Sequence, residues 1–156
     1  MATTIDLSQP ITRGKKKINQ LKLPKLTVPM LKGFMLADIL GLDFTIMPEL
    51  IGRLAKISEV ECEQIEPYDL AKITKVIASD LTTAPDKPDF IDLRKPDSGN
   101  LRGVSLMALL HMDVDSMAIV VPRISSVTKE EFIALEPYQL LQAGKDLSGF
   151  FVNPPS

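Results

Sequence analysis

The chain has 156 residues, of which 45% are hydrophobic and 24% charged, and its formal net charge is −2. It is too apolar for a disordered protein, and its single cysteine cannot form an internal disulfide, so nothing points to secretion. Because no apolar stretch reaches the roughly 20 residues that span a bilayer, and the first residues lack the apolar core of a signal peptide, we expect a cytoplasmic protein with no membrane partner.

The first predicted element is a β-hairpin. Residues Thr3 to Ser8 and Lys17 to Leu23 each alternate apolar and polar side chains, which is typical of half-buried strands. Between them, Arg13-Gly14-Lys15 suits a tight turn. The sequence therefore predicts two antiparallel strands before the first helix.

Four helical segments follow the hairpin. The first covers about residues 31–41 and the second about 46–56. The third begins with a capping box of Ser58 and Glu61, in which the hydroxyl and the carboxylate each accept a hydrogen bond from a backbone amide at the helix start. The fourth is predicted to begin at Pro67. Proline is tolerated in the first turn of a helix, because the N–H group that it lacks would have no acceptor within the helix.

A linker is predicted at residues 82–89, which contain two prolines and no large apolar side chain. It separates two predicted units, 1–81 and 90–156. The second unit begins with one candidate strand, Phe90 to Leu93, whose partner strand is replaced by the linker.

The second unit repeats the first at an offset of 70 residues without a gap. Between 31–81 and 101–151, 13 of 51 aligned residues are identical, where chance would give about three. The helical signals recur at about 101–111, at about 116–123, at a capping box of Thr128 and Glu131, and at Pro137. The sequence therefore predicts a mainly α fold of two tandem small helical-bundle units, the first preceded by a β-hairpin and the second by a short strand.

Residues that could carry catalysis are few. The single histidine, His111, lies at the end of an apolar helix and has no cysteine or carboxylate at metal-ligand spacing. Cys62 is replaced by Phe132 in the other unit, which is typical of a buried apolar site and not of a nucleophile. Without a glycine-rich phosphate loop either, we expect no enzymatic activity, no metal and no cofactor. Only a ligand bound reproducibly at His111 would revive an enzymatic interpretation.

Basic residues are concentrated near the N-terminus. Residues 1–32 hold seven of the 18 lysines and arginines and one acidic residue, so the remaining chain is acidic. The cluster from Arg13 to Lys17 could contact nucleic acid, but no aromatic side chain is interleaved with it. Lysines at a hairpin also protect sheet edges from unwanted pairing, so nucleic acid is disfavoured as a partner.

Methionines are concentrated in the first two helices of both units and at their entrances. The helix from Leu101 to Met112 is apolar nearly all round, so it must be buried on every face or must meet a partner. Flexible methionine side chains suit partners of variable sequence. Two interpretations stay open here: a core in which the units pack together, and a partner surface.

A series of short motifs in the second unit carries a family resemblance. The motifs are IDLRKP at 91–96, NLRG at 100–103, VPRIS at 121–125 and Phe-Phe at 150–151. In this order they resemble the small tail assembly chaperone family of Mu-like and related long-tailed bacteriophages. The first unit resembles that family more loosely, through Leu31-Lys32-Gly33 and Gly52-Arg53-Leu54. Members normally carry one unit, so the tandem copy is a departure from the family pattern.

The resemblance implies a non-enzymatic protein of the host cytoplasm that acts during tail morphogenesis. It would bind the long, apolar, helical tape measure protein and help recruit tail tube subunits, and a homo-oligomer stays open. The alternative is a structural adaptor that is retained in the tail particle. Apolar grooves would hold a helical client through residues spaced three and four apart. The candidate client-binding residues are Leu36, Ile39, Leu40, Leu42, Met47, Leu106, Leu109, Leu110, Met112 and Met117.

Overall fold

The computed structural model describes residues 3–86, termed the first half, and 89–154, termed the second half. Two antiparallel strands, β1 (Thr3–Arg13) and β2 (Lys16–Leu23), open the first half. Its helices are α1 (Leu36–Leu40), α2 (Met47–Ala55), α3 (Glu59–Cys62) and α4 (Pro67–Thr82). Those of the second half are α5 (Leu106–Leu110), α6 (Val114–Val120), α7 (Lys129–Ile133) and α8 (Pro137–Val152). The predicted mainly helical fold is confirmed.

The predicted hairpin is also confirmed, although β1 runs on to Arg13, well beyond the predicted end at Ser8. Pairing proceeds from Thr3 to Asp6, shifts register, and resumes at Ile11. Pro10 lies in this interruption and has no N–H to donate to a ladder. The irregularity therefore lets a strand that contains a proline keep its pairing on both sides.

The predicted starts of the third and fourth helices are confirmed in both halves. Ser58 with Glu61, and Thr128 with Glu131, form complete reciprocal capping boxes at the starts of α3 and α7. Helices α4 and α8 begin at their prolines, Pro67 and Pro137.

The first helix of each half is shorter than predicted. Helices over 31–41 and 101–111 were expected, but Gly33 and Gly103 have φ angles of 88° and 89°, a conformation that ends a right-handed helix and favours glycine. The helical turns of α1 and α5 therefore begin only after these glycines.

The predicted second helices are present with shifted ends. Helix α2 matches the segment expected at 46–56, whereas α6 begins at Val114, earlier than the expected 116. Helix α6 gives way at its end to a 3₁₀ turn, Val121–Arg123, because Pro122 has no N–H for an α-helical hydrogen bond.

The short strand predicted at Phe90 to Leu93 is wrong, since the structure pairs this segment with no strand in the described residues. Side-chain amides of α8 take the place of a partner strand. The Ile91 amide donates to Gln142 Oε1 at 3.3 Å, and Gln139 Nε2 donates to the Asp89 carbonyl at 2.7 Å. The Ile91 amide and the Asp89 carbonyl are thus bonded without a ladder.

The linker predicted at 82–89 begins in the last turn of α4 and precedes the second half. Thr82 still belongs to α4, and residues 83–86 are irregular. Lys87 and Pro88 of that prediction lie outside the described residues, as do Pro155 and Ser156 of the predicted second unit.

A continuous hydrophobic core includes residues from both halves. Helices α4 and α8 pack against each other, and buried side chains such as Ile77 and Leu147 lie on them. Cys62 and Phe132, which stand 70 positions apart, are both buried, as the sequence predicts for an apolar site.

Asp69 fastens the hairpin to α4. The Ser8 amide donates to both of its carboxylate oxygens, at 2.9 and 3.1 Å, and the Ser8 hydroxyl donates to Oδ2 at 2.9 Å. Burial of this carboxylate would raise its pKa, but the hydrogen bonds from Ser8 and the Gln9 amide, together with the charge of Lys72, outweigh that effect and hold the pKa below its ordinary value. The interrupted part of β1 is therefore held by a buried acceptor on α4.

Arg13 fastens the end of β1 to α3. Its Nε and Nη2 donate to the two carboxylate oxygens of Glu61 at 2.6 and 3.0 Å. The Ser58 amide also donates to Glu61 Oε1 at 2.9 Å. The guanidinium first, and the Ser58 amide second, lower the pKa of Glu61 to about 2.

We predict that Asp69→Ala destabilises the protein, because it leaves the amide and hydroxyl of Ser8 without their buried acceptor. The free energy of unfolding should fall by about 1–3 kcal/mol, measured by urea denaturation. The matched control is Asp86→Ala, in which the carboxylate is exposed and the change should stay within about 0.5 kcal/mol. Equal effects of the two substitutions would contradict this role of Asp69.

We predict that Arg13→Ala raises the pKa of Glu61 from about 2 towards its ordinary value, without reaching it, since the Ser58 amide still donates. Carboxyl-carbon NMR titration measures this change. Lys15→Ala, on the same hairpin, is the control and should leave the titration unchanged.

The same pair predicts a pH dependence. Since the pKa of Glu61 is lower in the folded protein than its ordinary value of 4.5, its contribution to stability is present above pH 4.5 and is lost as the pH falls towards 2. Arg13→Ala should reduce this acid sensitivity in denaturation curves recorded across that range.

Candidate functional site

In residues 3–86 and 89–154, the two halves exchange backbone hydrogen bonds at one junction. The amides of Leu36 and Ala37, in the first turn of α1, donate to the carbonyls of Met112 and His111 at 2.9 and 3.2 Å. In the opposite direction, the Val114 amide donates to the Phe34 carbonyl at 3.0 Å. We call residues 34–37 the front edge of the first half and residues 111–114 the rear edge of the second half.

Apolar side chains close this junction. Phe34 and Leu36 from the front edge, and Val114 from the rear edge, are all buried. Beside them runs an open apolar groove with contributions from both halves, of about 570 Å³. Six apolar residues line it, Val28, Pro29, Val114, Ala118, Phe132 and Ile133, together with the charged Lys32 and Asp115.

The front edge is shaped by an arginine that recurs in both halves. Arg53 Nη1 donates to the carbonyls of Met30 and Lys32 at 3.0 and 2.6 Å. At positions 70 residues later, Arg123 Nη1 donates to the carbonyls of Asn100 and Arg102 at 3.0 and 2.8 Å. Each arginine thus fixes the chain just before the glycine with positive φ, and with it the entry to α1 or α5.

The rear edge is shaped by a left-handed residue that also recurs. Leu42 and Met112 have φ angles of 54° and 59°, which large side chains rarely adopt. After each, an aspartate amide reaches back to close the end of the helix: Asp43 to Asp38, and Asp113 to Ala108. The result is a Schellman-type helix end in which a bulky apolar residue stands where glycine is usual.

The ten candidate client-binding residues divide by their exposure. Five are packed in the core, namely Leu36, Ile39, Met47, Leu109 and Met117. Leu40, Leu110 and Met112 are partly buried, and Leu42 and Leu106 are exposed. Five of the ten therefore form part of the core, and the other five keep some exposure; which of these meet a partner stays a prediction.

The structure exposes further large apolar side chains that the sequence analysis did not select. Met107 follows the exposed candidate Leu106, Phe44 lies two residues after the exposed candidate Leu42, and Ile133 lines the apolar groove. Their local sequence resembles that of buried residues, so the sequence carries no signal that these side chains are exposed. The structure shows it when each is compared with its counterpart 70 positions away. Phe44 is 58% exposed, whereas its counterpart Val114 is 2% exposed.

The single histidine is hydrogen-bonded to its own helix, and the single cysteine is buried. His111 Nδ1 donates to the Met107 carbonyl at 2.9 Å, one turn away on its own helix. Burial raises the pKa of the Cys62 thiol, which disfavours the reactive thiolate. Across residues 3–86 and 89–154, no three His, Cys, Asp or Glu side chains gather as metal ligands would.

Among the helices described between residues 3 and 154, none combines the length and apolar character that crossing a bilayer requires.

The first half matches a known protein family. Residues 4–81 match the sequence profile of the family described as phage tail assembly chaperone proteins, E, or 41 or 14. The match runs from the start of β1 into the last turn of α4 and covers half of the chain. It falls on the half whose motifs resemble the family more loosely.

Two curated proteins of Escherichia phage P2 are similar to this chain. Tail assembly protein E is 41% identical over 69 residues, which is 42% of this chain and 74% of that protein. Tail assembly protein E′ is 39% identical over 64 residues, which is 40% of this chain and 45% of that protein. The chain therefore spans less than half the length of the second relative. No solved structure matches the chain significantly.

We predict that Leu36→Ala and Leu106→Ala, which change the same residue type at equivalent positions, have unequal effects on stability. Leu36 is 0% exposed and Leu106 is 52% exposed. Leu36→Ala should lower the free energy of unfolding by about 2–5 kcal/mol, and Leu106→Ala by less than about 0.5 kcal/mol. Urea denaturation at low protein concentration measures both, and equal losses would contradict the junction described above.

Proposed function

The chain belongs to the family of phage tail assembly chaperones, and from this premise we propose that it binds the apolar, helical tape measure protein during tail morphogenesis. In this proposal it keeps that protein soluble in the host cytoplasm and helps recruit tail tube subunits, without catalysing a reaction. The family match over residues 4–81 is the observation that carries the proposal.

We also propose that the two halves are tandem copies of one ancestral chaperone unit. Support comes from features that recur at a spacing of 70 residues: the arginine clamps, the left-handed residues, the capping boxes and the proline-initiated long helices. Local hydrogen bonding that recurs with the sequence is typical of a duplicated structural unit.

The client would contact apolar side chains that the fold leaves accessible. Of the candidates, Leu40, Leu42, Leu106, Leu110 and Met112 keep some exposure. The groove beside the junction adds a concave apolar surface into which a client helix can lay a stripe of residues spaced three and four apart. Ile133 lies at its margin with an exposed side chain, so it is the natural position for a test.

We predict that Ile133→Glu lowers the amount of soluble tape measure protein recovered when the two proteins are co-expressed. Glutamate is the residue at the equivalent position of the first half, Glu63, so the exposed site should accept it without loss of fold. A charge in the groove would oppose docking of an apolar helix.

The matched control is Val60→Glu, which also exchanges an exposed apolar residue for the glutamate of the other half, Glu130. It should leave the recovery unchanged. If the wild-type chain itself does not improve the solubility of the tape measure protein from its own phage, the proposed function is wrong. Stoichiometric copies in purified virions would instead favour the structural adaptor.

A further inference from the structure

The junction between the halves uses only two of four available edges. The front edge of the first half, residues 34–37, meets the rear edge of the second half, residues 111–114. The equivalent front edge at 104–107 and rear edge at 41–44 exist but do not meet: the Met35–Asp113 bridge has no counterpart between Ser105 and Asp43 in the described residues. The contact is therefore head to tail, and it leaves one edge of each kind unused.

Backbone hydrogen bonds show this difference directly. In the junction, the amides of Leu36, Ala37 and Val114 donate across the halves. Their equivalents are the amides of Leu106, Met107 and Phe44. Within the described residues, none of these three amides has a backbone acceptor. The donors at both unused edges thus lack the bonds that the used edges make.

Side-chain burial differs in the same way. Leu36 is 0% exposed in the junction, and its equivalent Leu106 is 52% exposed. Phe44, the equivalent of the buried Val114, is exposed, and so are Met107 and Leu42. Large apolar side chains therefore flank the unpaired amides at each unused edge, although burial of such side chains is favourable.

Both unused edges already have the conformation of the used ones. The Arg123 clamp and Gly103, with φ of 89°, reproduce the Arg53 clamp and Gly33, with φ of 88°, before the front edge. At the rear edge, Leu42 adopts the left-handed conformation of Met112. Little rearrangement would be required for these edges to dock.

We propose that a second copy of this chain docks on these edges, so that the rear edge of one chain, residues 41–44, pairs with the front edge of the next, residues 104–107. The Leu106 and Met107 amides would donate to the Leu42 and Gly41 carbonyls of the neighbour, and the Phe44 amide of the neighbour would donate to the Val104 carbonyl. The junction within each chain thereby repeats between chains.

This contact is heterologous, because the two surfaces that meet are different. Each added chain buries one edge and presents another of the same kind, so association continues until a ring closes or a filament forms. The inference goes beyond client binding and needs no tape measure protein, so its test is independent of the proposed function.

The experiment uses two variants that each block one edge. Leu106→Glu places a charge on the front edge, and Phe44→Glu places one on the rear edge. Sedimentation velocity of the purified wild-type chain should show a mass that rises with concentration beyond that of two chains. Each variant alone should remain a monomer of about 17.2 kDa, because every contact needs one intact edge of each kind.

Mixing the two variants is the decisive step. The intact rear edge of the Leu106→Glu chain can dock on the intact front edge of the Phe44→Glu chain, so the mixture should form a dimer and stop there. The control, Val60→Glu, alters an exposed apolar residue outside both edges and should associate as the wild type does.

Three outcomes would overturn the proposal: a monomeric wild-type chain at all concentrations, single variants that still associate, or a mixture that stays monomeric. If circular dichroism shows that a variant has lost the wild-type fold, Met107→Ala and Phe44→Ser carry the same test on the same two edges.

Discussion

The structure depends on how a five-residue helix satisfies its first amides. The first N–H groups of any α-helix have no acceptor within the helix, so those of α1 depend on acceptors from outside it. The left-handed turn at Met112 provides these acceptors, because it directs the Met112 and His111 carbonyls of the second half to the amides of Leu36 and Ala37. This exchange of backbone bonds brings the halves together, and the buried Phe34, Leu36 and Val114 then exclude water from it.

Short sequence motifs were sufficient to predict the helix starts, which depend on hydrogen bonds between residues close in the chain. The capping boxes at Ser58 and Thr128 and the prolines at 67 and 137 each satisfy or remove orphan amides within a few residues, so they place helix starts correctly. The strand predicted at Phe90 to Leu93 failed because a strand requires a distant partner, which a local pattern does not reveal.

The candidate site could be predicted only in part, for a related reason. Leu36 and Leu106 are the same residue in the same local context, yet the first is core and the second is surface. Their difference arises from which edge meets the other half, and an apolar pattern that repeats at both positions carries no information about that choice. Apolar periodicity thus located the relevant helices but could not separate their core residues from their exposed ones.

The covalent connection between the halves changes how their association depends on protein concentration. The covalent link between the halves keeps the front edge of the first half at a high effective concentration relative to the rear edge of the second. The contact within a chain therefore forms without a bimolecular encounter, at any dilution, whereas a contact between chains forms only when collisions are frequent enough. In the proposed assembly, each chain brings two linked halves, so the rigid-body entropy of association is lost once per chain, whereas separate halves would lose it once for each half.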